Sequence, residues 1–297
     1  MPQSPYIVDE RQRRGRPRTH AITQWEIDRD QTTRRGLDLT EPKVNKPSGL
    51  AWWLHDKCIY IDGEWHFDTN PQKFYLLGYQ YDHWHQGWLY NQNDYEYNGK
   101  VFFKPTIKGA DRLNRTWLTK LFEGVRTIYF YGPDAGQLER MFHLRMKDRY
   151  RCVNLLSVVR KVIPVKDMLQ ATFDYNRLHP GVLKNVPEIT YQKYVQEMTL
   201  GKRKPITPSY RLCVVEHLLG IRRTTEEYKA DCDNLHRDWY NPKLRAKALL
   251  YNLEDVDNLQ TVKERLYGRY YVSEQVENEC ILQVTKADKE KFKSRKY

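Results

Sequence analysis

The chain has 297 residues, 40% hydrophobic and 30% charged, with a formal net charge of +12 and a pI of about 9.3. This composition supports a packed core and excludes global disorder, while the surplus of Lys and Arg favours a polyanionic partner, because binding to phosphates releases counterions. Five dispersed cysteines (Cys58, Cys152, Cys213, Cys232 and Cys280) form no CxxC pair, which argues against a zinc ribbon or a disulfide framework and for reduced, buried thiols.

Residues 1–48 are polar with charge of both signs and contain Arg11-Gln-Arg-Arg-Gly-Arg-Pro-Arg18. They are expected to form a basic, largely extended arm, with one short helix near Ala21–Asp30. Pro42, Pro47 and Gly49 punctuate the entry to a folded domain over 49–285. Cys58-Ile-Tyr-Ile61 is a β-prone run that ends at an acidic turn, and Lys73–Tyr81 and Trp88–Tyr90 continue as a hairpin or meander. Leu113, Trp117, Leu118, Leu121 and Phe122 have helical spacing, so 111–123 is predicted as a helix. Val125–Tyr131 is predicted as a strand, 134–147 as a helix, and Cys152–Val159 as a strand passing into a helix. Residues 165–208, with four prolines and several tyrosines, are taken as an inserted lobe. Helices are expected over 210–220, 225–240 and 243–267, the last with Leu249, Leu250, Leu253, Val256, Leu259, Val262 and Leu266 on one broad face. Residues 286–297 form a lysine-rich tail. The succession of strands, helix, strand, helix, strand and helices is that of a mixed α/β layer architecture.

Four carboxylates stand out against this background. Asp62 and Glu64 alternate at the end of the first apolar run, so both side chains point to the same face and can converge on one cation. Asp134 follows the strand at 125–131 and opens a helix, where an N-cap role would explain it equally well. Asp255 lies on the closing helix with Tyr251 one turn before it, on the same helix face. Glu254 and Asp257 are expected to point away from that face and to be solvated. Phosphodiester cleavage calls for a nucleophilic water and for neutralisation of the leaving oxygen, which two divalent ions about 4 Å apart supply; hard ions such as magnesium take oxygen ligands. Each acidic piece alone is a common surface feature, and the signal lies in their order within one basic chain.

The same segments resemble the ribonuclease-H-like Asp-Glu-Asp-Asp (DEDD) exonucleases of the tyrosine subtype, in particular their bacterial and phage branch of predicted 3′–5′ exonucleases. Tyr210–Ile221 is similar to that family's helix ending in Leu-Gly-Ile, and Ala248–Leu259 to its closing YNxxDVxxL signature. Tyr129–Glu139 resembles its second acidic motif and Ile59–Glu64 its first, with Trp65 where the family often has threonine. The similarity spans about residues 55–268, interrupted at 165–208. It implies a mixed sheet flanked by helices, with two magnesium or manganese ions at its edge. Asp62, Glu64, Asp134 and Asp255 would then be the ligands, and Tyr251 would help position the water.

Among the remaining features, Arg14-Gly-Arg-Pro17 matches the core of an AT-hook, so Arg14, Arg16 and Arg18 are candidate nucleic-acid contacts. A generic phosphate-binding or solvated arm is the simpler reading of the same residues. The tyrosines and tryptophans of 79–97 fit base stacking and half-buried strand positions equally. His83 and His85 have no third ligand nearby in sequence, which disfavours a zinc site. No run approaches the roughly 18 apolar residues of a membrane helix. Asp9 and Glu10 near the N-terminus argue against a secretory or transit peptide. The sequence-based expectation is therefore a cytoplasmic or nuclear (nucleoid-associated) nuclease acting on nucleic acid, with DNA slightly favoured over RNA. The rival reading is a catalytically weak nucleic-acid-binding protein or subunit with the same fold.

Overall fold

A computed structural model describes residues 58–66, 73–82, 85–90, 95–97, 100–102, 112–224, 239–241 and 244–283. The basic arm with Arg14, Arg16 and Arg18, the His83-x-His85 side chains, Cys232 and the lysine tail lie outside them. The central element is a five-stranded mixed sheet in the order β3-β2-β1-β6-β7. Its strands are β1 (Cys58–His66), β2 (Lys73–Asp82), β3 (His85–Tyr90), β6 (Thr127–Phe130) and β7 (Arg151–Asn154). β1 pairs antiparallel with β2 and parallel with β6, and β7 continues parallel beyond β6. A separate two-stranded ladder joins β4 (Tyr95–Tyr97) to β5 (Lys100–Phe102). The molecule is thus an α/β structure built on a mixed sheet.

The strand alternation of β1 assigns the two faces of the sheet. Ile59 and Ile61 pack with Leu77, Ile128 and Phe130 against α1 (Arg115–Leu121) and α2 (Asp134–Phe142), through Leu118, Leu121, Ala135 and Leu138. Tyr60 points the other way and stacks on Tyr129 at 5.2 Å. That second face is covered by α4 (Leu155–Val162), α5 (Val165–Leu178), α7 (Leu212–Leu218) and α8 (Arg245–Tyr270). Between α2 and β7 stands the short α3 (Met146–Arg149). α9 (Glu274–Glu279) follows α8, and residues 281–282 then bond to β7, where Leu282 N donates to Cys152 O at 2.9 Å. This covers a sheet edge that would otherwise offer unpaired backbone groups.

Four sequence expectations meet specific outcomes here. β1 does not end at an acidic turn: it runs on through His66, because β2 pairs with it from Tyr60 to His66, leaving Asp62 and Glu64 inside a strand. Residues 165–208 hold α5 and α6 (Tyr191–Thr199), and α5 buries Met168, Ala171 and Tyr175 in the same core as α8. Of the aromatic stretch, Tyr79, Trp88 and Tyr90 are buried, and Tyr81 donates its hydroxyl to Leu121 O. These four are engaged in packing, which accounts for them without base stacking. Cys152 and Cys280 are buried thiols, while Cys58 and Cys213 are half-buried, and none of these four is in a disulfide.

Candidate metal centre

Asp62 and Glu64 project from β1 towards α8, which crosses β1 and β2. Helix and sheet approach closely where β2 carries Gly78, the register partner of Asp62. A Cβ there would overlap Oδ1 of Asn252 and lie 2.7 Å from Cγ2 of Val256. This lets Asn252 span the gap: its Nδ2 donates to Oδ2 of Asp62 at 2.7 Å and to the Asp62 carbonyl at 3.2 Å. One turn along the same helix, Asp255 reaches the two strand acids. Single carboxylate oxygens of Asp62, Glu64 and Asp255 all lie within 4.8 Å of one another, a spacing that could hold a metal ion.

Asp134 joins this group from behind the strand. The turn that delivers it is pinned by Asn154, whose Oδ1 accepts from Gly132 N at 3.1 Å and whose Nδ2 donates to Gly132 O at 3.0 Å. Asp134 is the first residue of α2 and follows Pro133, the N-cap. It is buried, and its Oδ1 accepts the amide N–H of Gly63 at 3.3 Å, the residue between the two strand acids. Its carboxylate therefore neighbours the converging triad and braces the strand that carries two of its members. Tyr251 is half-buried one turn before Asp255, with the guanidinium of Arg223 5.0 Å from its ring centre.

Arg223 and its partners were not anticipated from the sequence. α7 ends at Leu218 with Leu219 as its C-cap, and Gly220 takes φ +71°, a left-handed turn that a β-carbon would strain. α8 supplies the cap from outside, Arg265 and Arg269 each donating to the orphan carbonyls of Leu219 and Leu218 at 2.9 Å. The chain then folds back so that Arg223 Nη1 donates to both carboxylate oxygens of Glu216 at 3.0 Å, and Nη2 donates to Asp255 Oδ1. Asn258 Nδ2 donates to Oε1 of Glu216 at 2.9 Å. The side chains of Glu216 and Arg223 are each 1% exposed. The one sequence signal for this arrangement is the Leu219-Gly220-Ile221 turn after Glu216, and it says nothing of where Arg223 goes.

The expectation that Glu254 and Asp257 are solvated is corrected by the structure. Glu254 is fully buried and accepts from Thr224 N at 2.7 Å and Thr224 Oγ1 at 2.8 Å. Asp257 is buried and accepts from Gln86 Nε2 at 3.2 Å, within a chain in which Gln86 also donates to Gln80 and Gln80 to Gln260. The physical reason is that α8 is covered both by the sheet and by the segment after α7, so the side opposite its apolar stripe is interior too.

Burial raises the carboxyl pKa values throughout the cluster, and mutual repulsion adds to it. Glu64 is pushed up to about 8 by burial and then by Asp255 and Asp134. Asp134 is also pushed up to about 8 by burial, against the opposing pull of the Gly63 amide. Asp62 rises well above the ordinary range through burial, then through Asp255 and Glu64. Asp255 rises only to about 6, because Arg223 opposes the effect of burial. Several carboxyl groups held against their ordinary ionisation in one place mark a functional-site candidate, since a cation would relieve the repulsion.

No protein-family model, curated protein or solved structure matches the chain. Among the described residues, no helix is long and apolar enough to cross a membrane.

Proposed function

We propose that this protein is a divalent-metal-dependent nuclease of the ribonuclease-H-like DEDD type, tyrosine subtype, that removes nucleotides from a 3′ end. The observation that carries this reading is the convergence of Asp62, Glu64 and Asp255 to within 4.8 Å, with Asp134 bonded to the amide between the strand acids. Those residues are the four acids of the family resemblance, brought together from a strand, a helix start and a late helix. The five-stranded mixed sheet with helices on both faces agrees with the fold the resemblance implies.

The donor set fits hard cations: every candidate ligand is a carboxylate oxygen, which suits magnesium or manganese rather than zinc or copper. Asp62, Glu64 and Asp255 would hold a first ion, and Asp134 would complete a site for two. Bound there, such ions supply a nucleophilic water at neutral pH and neutralise charge on the phosphate and leaving oxygen. The chain's own residues prepare that chemistry. Asn252 holds Asp62 in place through its carboxylate and carbonyl, the Gly63 amide holds Asp134, and Arg223 holds Asp255. Tyr251, one turn before Asp255 along the helix, would help to orient a water. The net charge of +12 favours nucleic acid as the substrate, and the AT-hook-like Arg14-Gly-Arg-Pro17 puts DNA slightly ahead of RNA.

A second reading, a nucleic-acid-binding protein with weak or no catalysis, is favoured by one observation. Arg223 already supplies a positive charge to Asp255, an arrangement that satisfies that carboxylate without an ion. The two separate on metal dependence. Purified protein would be incubated with 5′-labelled single-stranded and duplex DNA and RNA, in magnesium, manganese or EDTA, beside Asp62→Asn and Asp255→Asn. A metal-dependent ladder shortening from the 3′ end and lost in both variants supports the exonuclease. Internal cuts lost in the same variants make it an endonuclease, and salt-sensitive binding with no cleavage in any lane selects the binding protein.

A further inference from the structure

Arg223 is buried, cannot reach solvent or a substrate phosphate, and forms an unbroken link between two helices. Glu216 of α7 receives Nη1 through both carboxylate oxygens, and Asp255 of α8 receives Nη2 through Oδ1. Glu216 is itself fixed by Asn258, one turn beyond Asp255 on the same helix. Thr224, the next residue, is tied at its N–H and hydroxyl to buried Glu254. The backbone on either side of the guanidinium is thus anchored independently of it, by the Gly220 turn before and the Glu254 bonds after. A lysine could not span this arrangement, because only a planar fork serves two carboxylates at fixed angles. As a plain stabilising ion pair the cluster is poorly suited, since desolvating two carboxylates and a guanidinium costs about as much as their attraction returns. Its geometry is better explained by what it does to Asp255.

We propose that Arg223, clamped by Glu216, is a positioning residue that fixes the Asp255 carboxylate in the orientation presenting it to a divalent cation shared with Asp62 and Glu64. This rests on the metal-site reading above. Ligand carboxylates are generally held by hydrogen-bonding partners outside the coordination sphere, and loss of such a partner typically weakens metal affinity about 10- to 100-fold. Glu216 serves to hold Arg223 in place through both of its carboxylate oxygens.

The test is a calorimetric Mn2+ titration of the full chain as wild type, Arg223→Lys, Glu216→Gln and the double variant, with thermal unfolding of each in EDTA. The expected result is Mn2+ affinity weakened about tenfold or more in Arg223→Lys. Glu216→Gln should weaken it less, and the double variant should be no weaker than Arg223→Lys, because both changes cut one chain of contacts. Cleavage by the variants should recover as Mn2+ is raised, which a loss of folding would not allow. Glu216→Gln preserves side-chain shape and keeps the test decisive if Arg223→Lys unfolds. Folded variants with wild-type Mn2+ affinity overturn the positioning role while leaving the metal site intact. Tighter Mn2+ binding in the variants also overturns it, by showing Arg223 to be a competitor for Asp255. Absence of Mn2+ binding by the wild-type chain overturns the metal-site reading itself.

Discussion

Gly78 of β2 lies against Asn252 of α8 with no room for a methyl group between them. The same asparagine bonds the carbonyl and carboxylate of Asp62, so a position with no side chain sets the height of the helix above the acidic strand.

Gly78→Ala should therefore lift α8 or rotate Asn252 away from Asp62. Overpacking of this kind costs about 1–3 kcal/mol, and the loss should appear as a lower urea midpoint with an unchanged slope. Metal affinity should fall alongside, because Asp62 and Asp255 separate. A midpoint equal to wild type would show that helix and sheet do not approach this closely.

Asp62→Asn and Asp255→Asn should both abolish cleavage but move stability in opposite directions when no metal is present. Neutralising Asp62 removes a repelled carboxylate and should stabilise the fold on the order of 1 kcal/mol, the worth of roughly one pKa unit. Neutralising Asp255 removes the partner of a buried guanidinium and should destabilise it by about 3 kcal/mol. Denaturation of both proteins in EDTA decides this, and a matching loss in both would refute the repulsion at Asp62.

The pH dependence follows from the raised carboxyl groups. Glu64 and Asp134 titrate at about 8 when folded, against ordinary values of 4.5 and 3.8. Between those limits the folded state holds more protons at these groups than the unfolded state, so their contribution to stability falls as pH rises through the window. Removing one such group should relieve the loss. The stability advantage of Glu64→Gln over wild type in EDTA is expected to grow from pH 5 to pH 8. Because ligands must be deprotonated, Mn2+ should stabilise the wild type more at pH 8 than at pH 6. An advantage that shrinks with rising pH would contradict the assigned burial.

Glu254→Ala should destabilise the chain by about 1.5–3 kcal/mol, the worth of hydrogen bonds to a charged group, because it removes the fully buried acceptor of the Thr224 amide and hydroxyl. A solvated Glu254 would give a change within about 0.5 kcal/mol. Chemical denaturation of this one variant separates the two.

Replacing Arg14, Arg16 and Arg18 by alanine should weaken nucleic-acid binding and flatten its salt dependence. On duplex DNA the log–log slope should drop by about 0.9 for each phosphate that is no longer neutralised. Metal affinity should be unchanged, because the proposed ligands are Asp62, Glu64, Asp134 and Asp255, none of which these substitutions alter. An unaltered slope would mean that these arginines do not touch phosphate.

Much of the architecture was legible because it rests on local periodicity. The apolar runs at 58–61, 73–81 and 125–131 became β1, β2 and β6, and the leucine and valine stripe after residue 248 became α8. The convergence of Asp62 with Glu64 needed only strand alternation, and that of Tyr251 with Asp255 only the helical repeat. What local pattern cannot express is what lies on the other side of an element. β1 continued past its acids because β2 was there to pair with it. Glu254 and Asp257 became interior because the segment after α7, and β3, closed over α8.

By itself, then, the sequence determined the α/β class, the identity of the acidic residues and the strong positive charge, since these depend on composition and on interactions within a few residues. Only the tertiary structure decided that Asp255 crosses to β1, that Asp134 bonds to the Gly63 amide, and that Arg223 joins Glu216 to Asp255. Those contacts link residues 32 to 193 positions apart or, for Glu216 and Arg223, depend on a glycine turn. Their geometry is set by how closely a helix can pack on a sheet, which no short stretch of sequence encodes.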